Sequence, residues 1–315
     1  MRLNMNNMRS TLLRVCLTVG IVAVSSSINT VNASVISSSY GNAVHINLTI
    51  DSLASAVVDI SHTNGSAPDA YTDSSTLAAA DLTAGIYSHT FIDNSSWQGD
   101  ISASVIDGLS TSSLTSVLPS YFSTLGAATI NELSLDLISS ILGINGFLSI
   151  TADLLSTTSK VDANAISGES YSLATAGGST ITNLEVDLLG VKATASAMEN
   201  QSLFAGLNIA DFGLGIFVNE VSSECSNTLC AESRNAVRVA FSDFSVSNLY
   251  NSIFSVSPPG IGGVFDDSII NGEIVLASSF ATTTAEVSEP SGLILIILGG
   301  IMMIIGRPKT LIRHG

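Results

Sequence analysis

The side chains best suited to nucleophilic, redox or metal chemistry are three cysteines and four histidines. Cys225 and Cys230 stand with four residues between them inside the polar stretch 222–233. Two thiols with no histidine nearby cannot complete a four-ligand zinc site, and the spacing is not that of a Cys-x-x-Cys redox motif. In an oxidising compartment such a pair closes a local disulfide. It would pin the connection between a strand ending near Asn219 and one starting near Val237. Cys16 is preceded by Arg14 and Val15, where a lipoprotein site needs small residues. His45 falls on the wet face of a predicted strand. His62 near Asp59 and His89 near Asp93 fall in predicted loops, and His314 in the tail. Serines are so numerous that a Ser-His-Asp grouping has no specificity, and no Gly-x-Ser-x-Gly elbow occurs. No catalytic residue is assigned.

The carboxylates are scattered. Asp266-Asp267 follows the loop 258–263 and offers oxygen ligands for weak calcium binding, without the dense Asp/Asn spacing of a dedicated calcium loop. The loop's glycines do not make a phosphate cradle: the Lys-Ser/Thr end is missing and the two acids repel phosphate. No metal or cofactor is predicted. A secreted polysaccharide hydrolase with two facing carboxylates is the enzymatic alternative. Aromatic residues are only 6% with one tryptophan, which is thin for a sugar-stacking cleft.

The elements that must position these groups read as strands. Val44, Ile46, Leu48 and Ile50 alternate with His45, Asn47 and Thr49, a strict period of two. Residues 57–60 form a second apolar run. Asn64-Gly65 and Pro68-Asp69 predict turns in a loop over 62–74. Residues 84–93 suggest a strand pair, and Trp97 falls in a polar turn region. Ile130, Leu133, Leu137, Ile138, Ile141 and Leu142 keep helical spacing, so one helix is predicted over 130–142. Residues 147–155 can pair as a strand. Beyond Lys160 short strands recur: around Leu184 and Val186, over 191–198, around Ile216 and Val218, and at Val237, Val239 and Phe241. Gly177-Gly178, Gly190 and Asn271-Gly272 are read as turns, and 274–277 as the last strand. The pattern predicts a mainly β chain, an antiparallel β-sandwich-like exported domain with one helix.

Charge is segregated. Four basic residues against all 26 acidic ones lie between Ser34 and Pro290, a net charge of −22 for that part. Such a body repels nucleic acid and anionic membrane surfaces. The remaining basic residues sit at the two ends. Arg2, Arg9 and Arg14 precede an apolar run over 15–24, and Val31-Asn32-Ala33 supplies a cleavage point between Ala33 and Ser34. Residues 1–33 therefore read as a secretory signal helix. At the other end residues 293–305 carry no polar side chain, and Arg307, Lys309 and Arg313 follow. Thirteen helical residues cover about 20 Å, short of the ~30 Å hydrocarbon core. The basic end stays cytoplasmic.

This order of parts, Ser288-Glu289-Pro290, then a short apolar helix, then a basic end, resembles the PEP-CTERM sorting signal, with Ser288 in place of the first proline. The resemblance implies processing by an exosortase and release or transfer to the cell surface. The body resembles the choice-of-anchor P family at Tyr40-Gly41, residues 178–184, Phe217-Val218-Asn219-Glu220, Asn235-Ala236-Val237 and Gly272-Glu273-Ile274-Val275. That likeness implies a β-rich fold and a surface destination, and no activity.

The expected organisation is a signal peptide (1–33), a β-rich exported domain (34–280), a linker (281–288) and a sorting signal (289–315) with its membrane helix over 293–305. The expected role is that of a non-enzymatic surface or matrix protein, associated with exopolysaccharide or biofilm. Exosortase is its partner, and the membrane holds it only transiently. A permanently anchored surface protein is the second alternative.

Overall fold

The computed structural model describes residues 35–50, 54–67, 69–87, 96–114, 120–139, 147–166, 171–195, 198–254 and 269–285. They form two antiparallel sheets. One sheet contains β1 (Val35–Ile50), β2 (Ala54–Ser66), β11 (Gln201–Ser202), β12 (Leu214–Cys225), β13 (Leu229–Ser245) and β14 (Ile269–Ala285), in the order β11-β12-β13-β14-β1-β2. The other runs β10-β9-β6-β5-β4-β3. Its members are β3 (Tyr71–Tyr87), β4 (Ser96–Ser112), β5 (Tyr121–Ser139), β6 (Leu148–Ala165), β9 (Glu185–Leu188) and β10 (Val191–Thr194). Two short strands, β7 (Tyr171–Thr175) and β8 (Gly178–Thr182), also pair with β6. The sheets pack face to face, so the β-sandwich-like architecture is the observed one. A helix, α1 (Val246–Phe254), and two 3-10 turns, Ala205–Leu207 and Ile209–Phe212, lie between strands of the first sheet.

The strands are long, up to 19 residues, and at ~3.3 Å per residue that is about 60 Å. Strands β1, β2, β4, β5, β6, β12, β13 and β14 each change which face they bury part-way along. In β5 the inward residues are Phe122, Thr124, Gly126, Ala128 and Ile130, and then Leu133 and Leu135. The switch falls at Glu132, whose φ is 52°. A left-handed residue inserted in a strand reverses the side to which following side chains point. The same switch crosses the first sheet along one row, Ser61–Ala43–Ala277–Ala236–Asn219, set by the flanking register pairs. Ser61, Ala277 and Asn219 there have φ of 56°, 49° and 53°. In the second sheet Glu132 lines up with Asp153 and with Asn183 at φ 51°.

This seam divides the interior in two. On one side Val44, Ile46, Leu48, Leu135, Leu148, Ile150, Val186, Ile216, Val239 and Ile274 form an aliphatic core, closed at its end by Phe147, Phe244, Leu249 and Ile209. On the other side the buried inward residues are largely serine, threonine, glycine and alanine. Ser37 meets Ser112 at 3.0 Å, Ser39 meets Ser110 at 2.9 Å and Ser159 meets Ser279 at 2.9 Å, each pair bridging the sheets. The Thr157 hydroxyl donates to the Ala277 carbonyl at 3.0 Å. Backbones come so close that a methyl on Gly41 would strike the Ala127 carbonyl, and one on Gly126 those of Tyr40 and Phe280.

Several expectations are corrected. The predicted helix over 130–142 is strand β5 through Ser139. Ile130 and Leu133 face the same way because of Glu132, and this imitates helical spacing. Asn64-Gly65 lies inside β2, and the connection to β3 is only residues 67–70. Trp97 lies in β4, not in a turn. Gly177-Gly178 is a jog between β7 and β8, which both run antiparallel to β6. Asn271-Gly272 is no turn but sits in β14 beside a bulge in β13 between Phe241 and Phe244, held by the Asn271 side chain accepting from the Asp243 N–H at 2.7 Å. Strand β14 continues to Ala285, five residues into the stretch read as a linker. Gly190 does close a hairpin: Leu189 and Gly190, at φ 53° and 83°, suit a tight primed turn between β9 and β10.

Candidate binding face of the six-stranded sheet

The outer face of the first sheet carries Arg238, His45 and His62 together with the rings of Phe217, Tyr40 and Phe280. Register sets Phe217, Arg238, Val275, His45 and Asp59 in one row across β12, β13, β14, β1 and β2. The Arg238 guanidinium donates Nε and Nη2 to the two oxygens of Glu220 at 2.8 and 2.9 Å. It lies 4.9 Å from the centroid of the Phe217 ring and 3.6 Å from Glu273. The Glu220 pairing, opposed by burial, holds Arg238 above its ordinary pKa. Asn235 adds a hydrogen bond to Glu220 at 3.2 Å.

At the other side of the sheet His45 Nδ1 sits 2.7 Å from Asp59 Oδ1. The Asn42 amide donates to the same oxygen at 3.0 Å. The hydrogen bond from His45 lowers the Asp59 pKa, reinforced by Asn42 and by the nearby charge of His62, against a raising contribution from burial. Asn42 Oδ1 is buried and has no hydrogen-bond partner among the described residues. Five residues along the strands the rings of Phe280 and Tyr40 stack at 5.4 Å, and His62 continues the line 6.3 Å from Tyr40. The face thus sets aromatic rings beside amides and carboxylates, the groups that meet hydroxyl-rich ligands.

A buried ion pair braces the sheets beneath it. Glu232, 1% exposed, accepts the Lys160 backbone N–H at 3.0 Å and the Arg234 Nε at 2.9 Å. Lys160 lies where β6 passes from β7 to β8, so its amide has no strand partner there and the carboxylate supplies one. On the outer face of the second sheet Lys160 pairs with Asp162 at 2.9 Å, and that hydrogen bond raises the lysine's pKa. Among the described residues no group of three or more His, Cys, Asp or Glu side chains could hold a metal ion.

Cys225 and Cys230 are directly opposed across the β12–β13 hairpin and joined as a disulfide, with Cα atoms 4.1 Å apart. The pairing expected from sequence is the observed one. It lies at the hairpin's tip, where Ser226 and Leu229 close the turn at 2.7 Å. Sequence proximity placed His62 with Asp59, but His45 holds that carboxylate, and His62 lies in β2 rather than a loop. His89, His314, Asp266, Asp267, the cleavage point Ala33 and Ser34, the motif Ser288, Glu289 and Pro290, and the basic residues Arg307, Lys309 and Arg313 lie outside the described residues. Phe280 and Arg238 carried no signal of their own in the sequence, and Tyr40 and Glu220 stood out only through a family resemblance. Their partners come from strands far apart in the chain, and only the register joins them.

No protein-family model, curated protein or solved structure matches the chain.

Proposed function

We propose that this is a non-enzymatic exported protein, sorted by an exosortase and released or transferred to the cell surface, where it associates with extracellular polysaccharide. The observation that carries this reading is how the folded body meets the two sequence signals. Its first strand starts at Val35, directly after the predicted cleavage between Ala33 and Ser34. Its last strand ends at Ala285, three residues before Ser288. Both processing points thus fall just outside the β-structure, where trimming removes no strand. The disulfide suits an oxidising compartment.

Polysaccharide association is supported by the outer face of the six-stranded sheet. Tyr40, Phe280 and His62 offer rings for sugar C–H groups, and Asp59 and Glu220 offer hydrogen-bonding oxygens for hydroxyls. Intact-mass spectrometry of the mature protein from an exosortase-bearing host tests the sorting. The expected mass lacks residues 1–33 and everything beyond the Ser288–Pro290 motif, and is 2 Da below the reduced value for Cys225–Cys230. A mature protein that keeps residues 293–305 would overturn the sorting reading.

A further inference from the structure

The chain's two ends leave the body side by side. Val35 pairs with Ala285 in the middle of the six-stranded sheet, and the Ala285 N–H donates to the Thr228 carbonyl of the disulfide hairpin at 2.8 Å. The second sheet closes the same end: Val35 and Ala285 cluster with Leu114, Phe122, Ala163 and Tyr171. Four large apolar side chains rim this end without being covered. Ile36, the second residue of β1, is 50% exposed, and Leu229, the first of β13, is 36% exposed. Tyr121, the first of β5, is 47% exposed, and Ile166, just past β6, is 68% exposed.

We propose that this rim is a foot that rests on the lipid bilayer for as long as the C-terminal apolar segment remains attached. The occupant follows from the chain beyond Ala285. Only residues 286–292 separate that strand end from Leu293, where the thirteen apolar residues begin. Eight extended steps reach at most about 28 Å. The rim must stay within that distance of the hydrocarbon, while the opposite end of the sandwich stands about 50 Å farther out. Isoleucine and leucine side chains lose unfavourable water contact on entering the interface, and a tyrosine ring is suited to it. The Tyr121 hydroxyl donates to Asp162 at 2.8 Å, so its polar tip is already satisfied. Acidic neighbours, Asp69, Asp162 and Glu224, restrict the match to zwitterionic headgroups. The inference rests on the sorting route proposed above, with the transient membrane attachment that the C-terminal apolar segment implies, but not on the trimming enzyme.

The test uses the full chain reconstituted into phosphatidylcholine vesicles brominated near the headgroup end of the acyl chains. Trp97, the single tryptophan, is replaced by Phe, and tryptophan is introduced singly as Ile36→Trp, Tyr121→Trp and Val57→Trp. Val57 is 66% exposed toward the far end of β2 and serves as reference. Quenching several-fold stronger at positions 36 and 121 than at 57 is expected. Equal quenching at all three overturns the foot while leaving the anchoring reading intact. A chain that does not float with the vesicles overturns both. Hydroxyl-radical labelling of the unsubstituted chain on vesicles provides the check that needs no variant. Tyr121 and Ile36 should be labelled several-fold less than Val57, and labelling in proportion to their exposure in the folded chain would overturn the foot.

Discussion

The two halves of the sandwich solve the same problem with opposite chemistry. On one side of the seam the sheets are held apart by leucine, isoleucine, valine and phenylalanine, and stability comes from apolar area removed from water. On the other side the sheets are drawn together until backbones nearly touch, and hydroxyls bridge from one sheet to the other. That half gains little from apolar area. It gains from close packing and from satisfying each hydroxyl that it buries. The aliphatic half should therefore fail when atoms are removed, and the hydroxyl half when atoms are added.

The largest effect is expected in the hydroxyl half. Gly126→Val places a branched β-carbon against the Tyr40 and Phe280 carbonyls, which belong to backbone and cannot rotate away. Ordinary overpacking costs about 1–3 kcal/mol, and a collision with two fixed carbonyls should exceed it, at about 4 kcal/mol or more. The urea midpoint, or loss of soluble folded protein, reads the change. A midpoint within error of the parent would show that the sheets are not closely apposed there. The mirror experiment is Leu135→Ala in the fully buried aliphatic core, where a loss of about 2–5 kcal/mol is expected. If Gly126→Val proved mild and Leu135→Ala severe, the molecule would depend on one core rather than two.

Smaller effects separate bridging from filling. Ser159 bonds both the hydroxyl and the carbonyl of Ser279, at 2.9 and 3.0 Å. Ser159→Ala leaves buried groups of Ser279 without that partner and should cost about 1–3 kcal/mol. Adding Ser279→Ala removes one of the stranded groups, so the double variant should cost less than the sum of the singles. Strict additivity in denaturant titrations would mean that the two hydroxyls do not interact.

The same contrast explains what could be read from the chain beforehand. In the aliphatic half the period-two run from Val44 to Ile50 announces a strand with one buried face. In the hydroxyl half the inward positions Ser37, Ser39, Ser110, Ser112 and Ser159 look like surface, because burial of serine leaves no trace in hydropathy. Left-handed residues such as Glu132 and Ala277 are not glycine, so nothing in their identity announced a reversal of facing, and Ile130 with Leu133 passed for a helix. The disulfide was legible because its partners are near in sequence. The binding face was not, since Asp59 and His45, or Arg238 and Glu220, meet only once the strands are in register.

The smallest effect lies on the outer face and sharpens the comparison by pH. Interior hydroxyls do not titrate in the acid range, so the hydroxyl zipper itself should be insensitive there, whereas the Asp59–His45 pair should not be. Hydrogen bonding from His45 keeps the Asp59 carboxyl below its ordinary value of 3.8 in the folded chain. A depressed folded pKa means that the charged form stabilises the fold. That contribution is complete above the unfolded value of about 3.9 and fades as pH falls through the lower folded one. The Asp59 side chain is 47% exposed, so solvent screening limits the contribution to below about 1 kcal/mol. Asp59→Asn should therefore be slightly less stable than the parent at neutral pH, and the gap should close once the medium is acidic enough to protonate the parent's carboxyl. Matched denaturant titrations of both proteins down that range read it directly. A gap that stays constant would assign the loss to packing, and a gap that widens would reverse the sign of the proposed coupling.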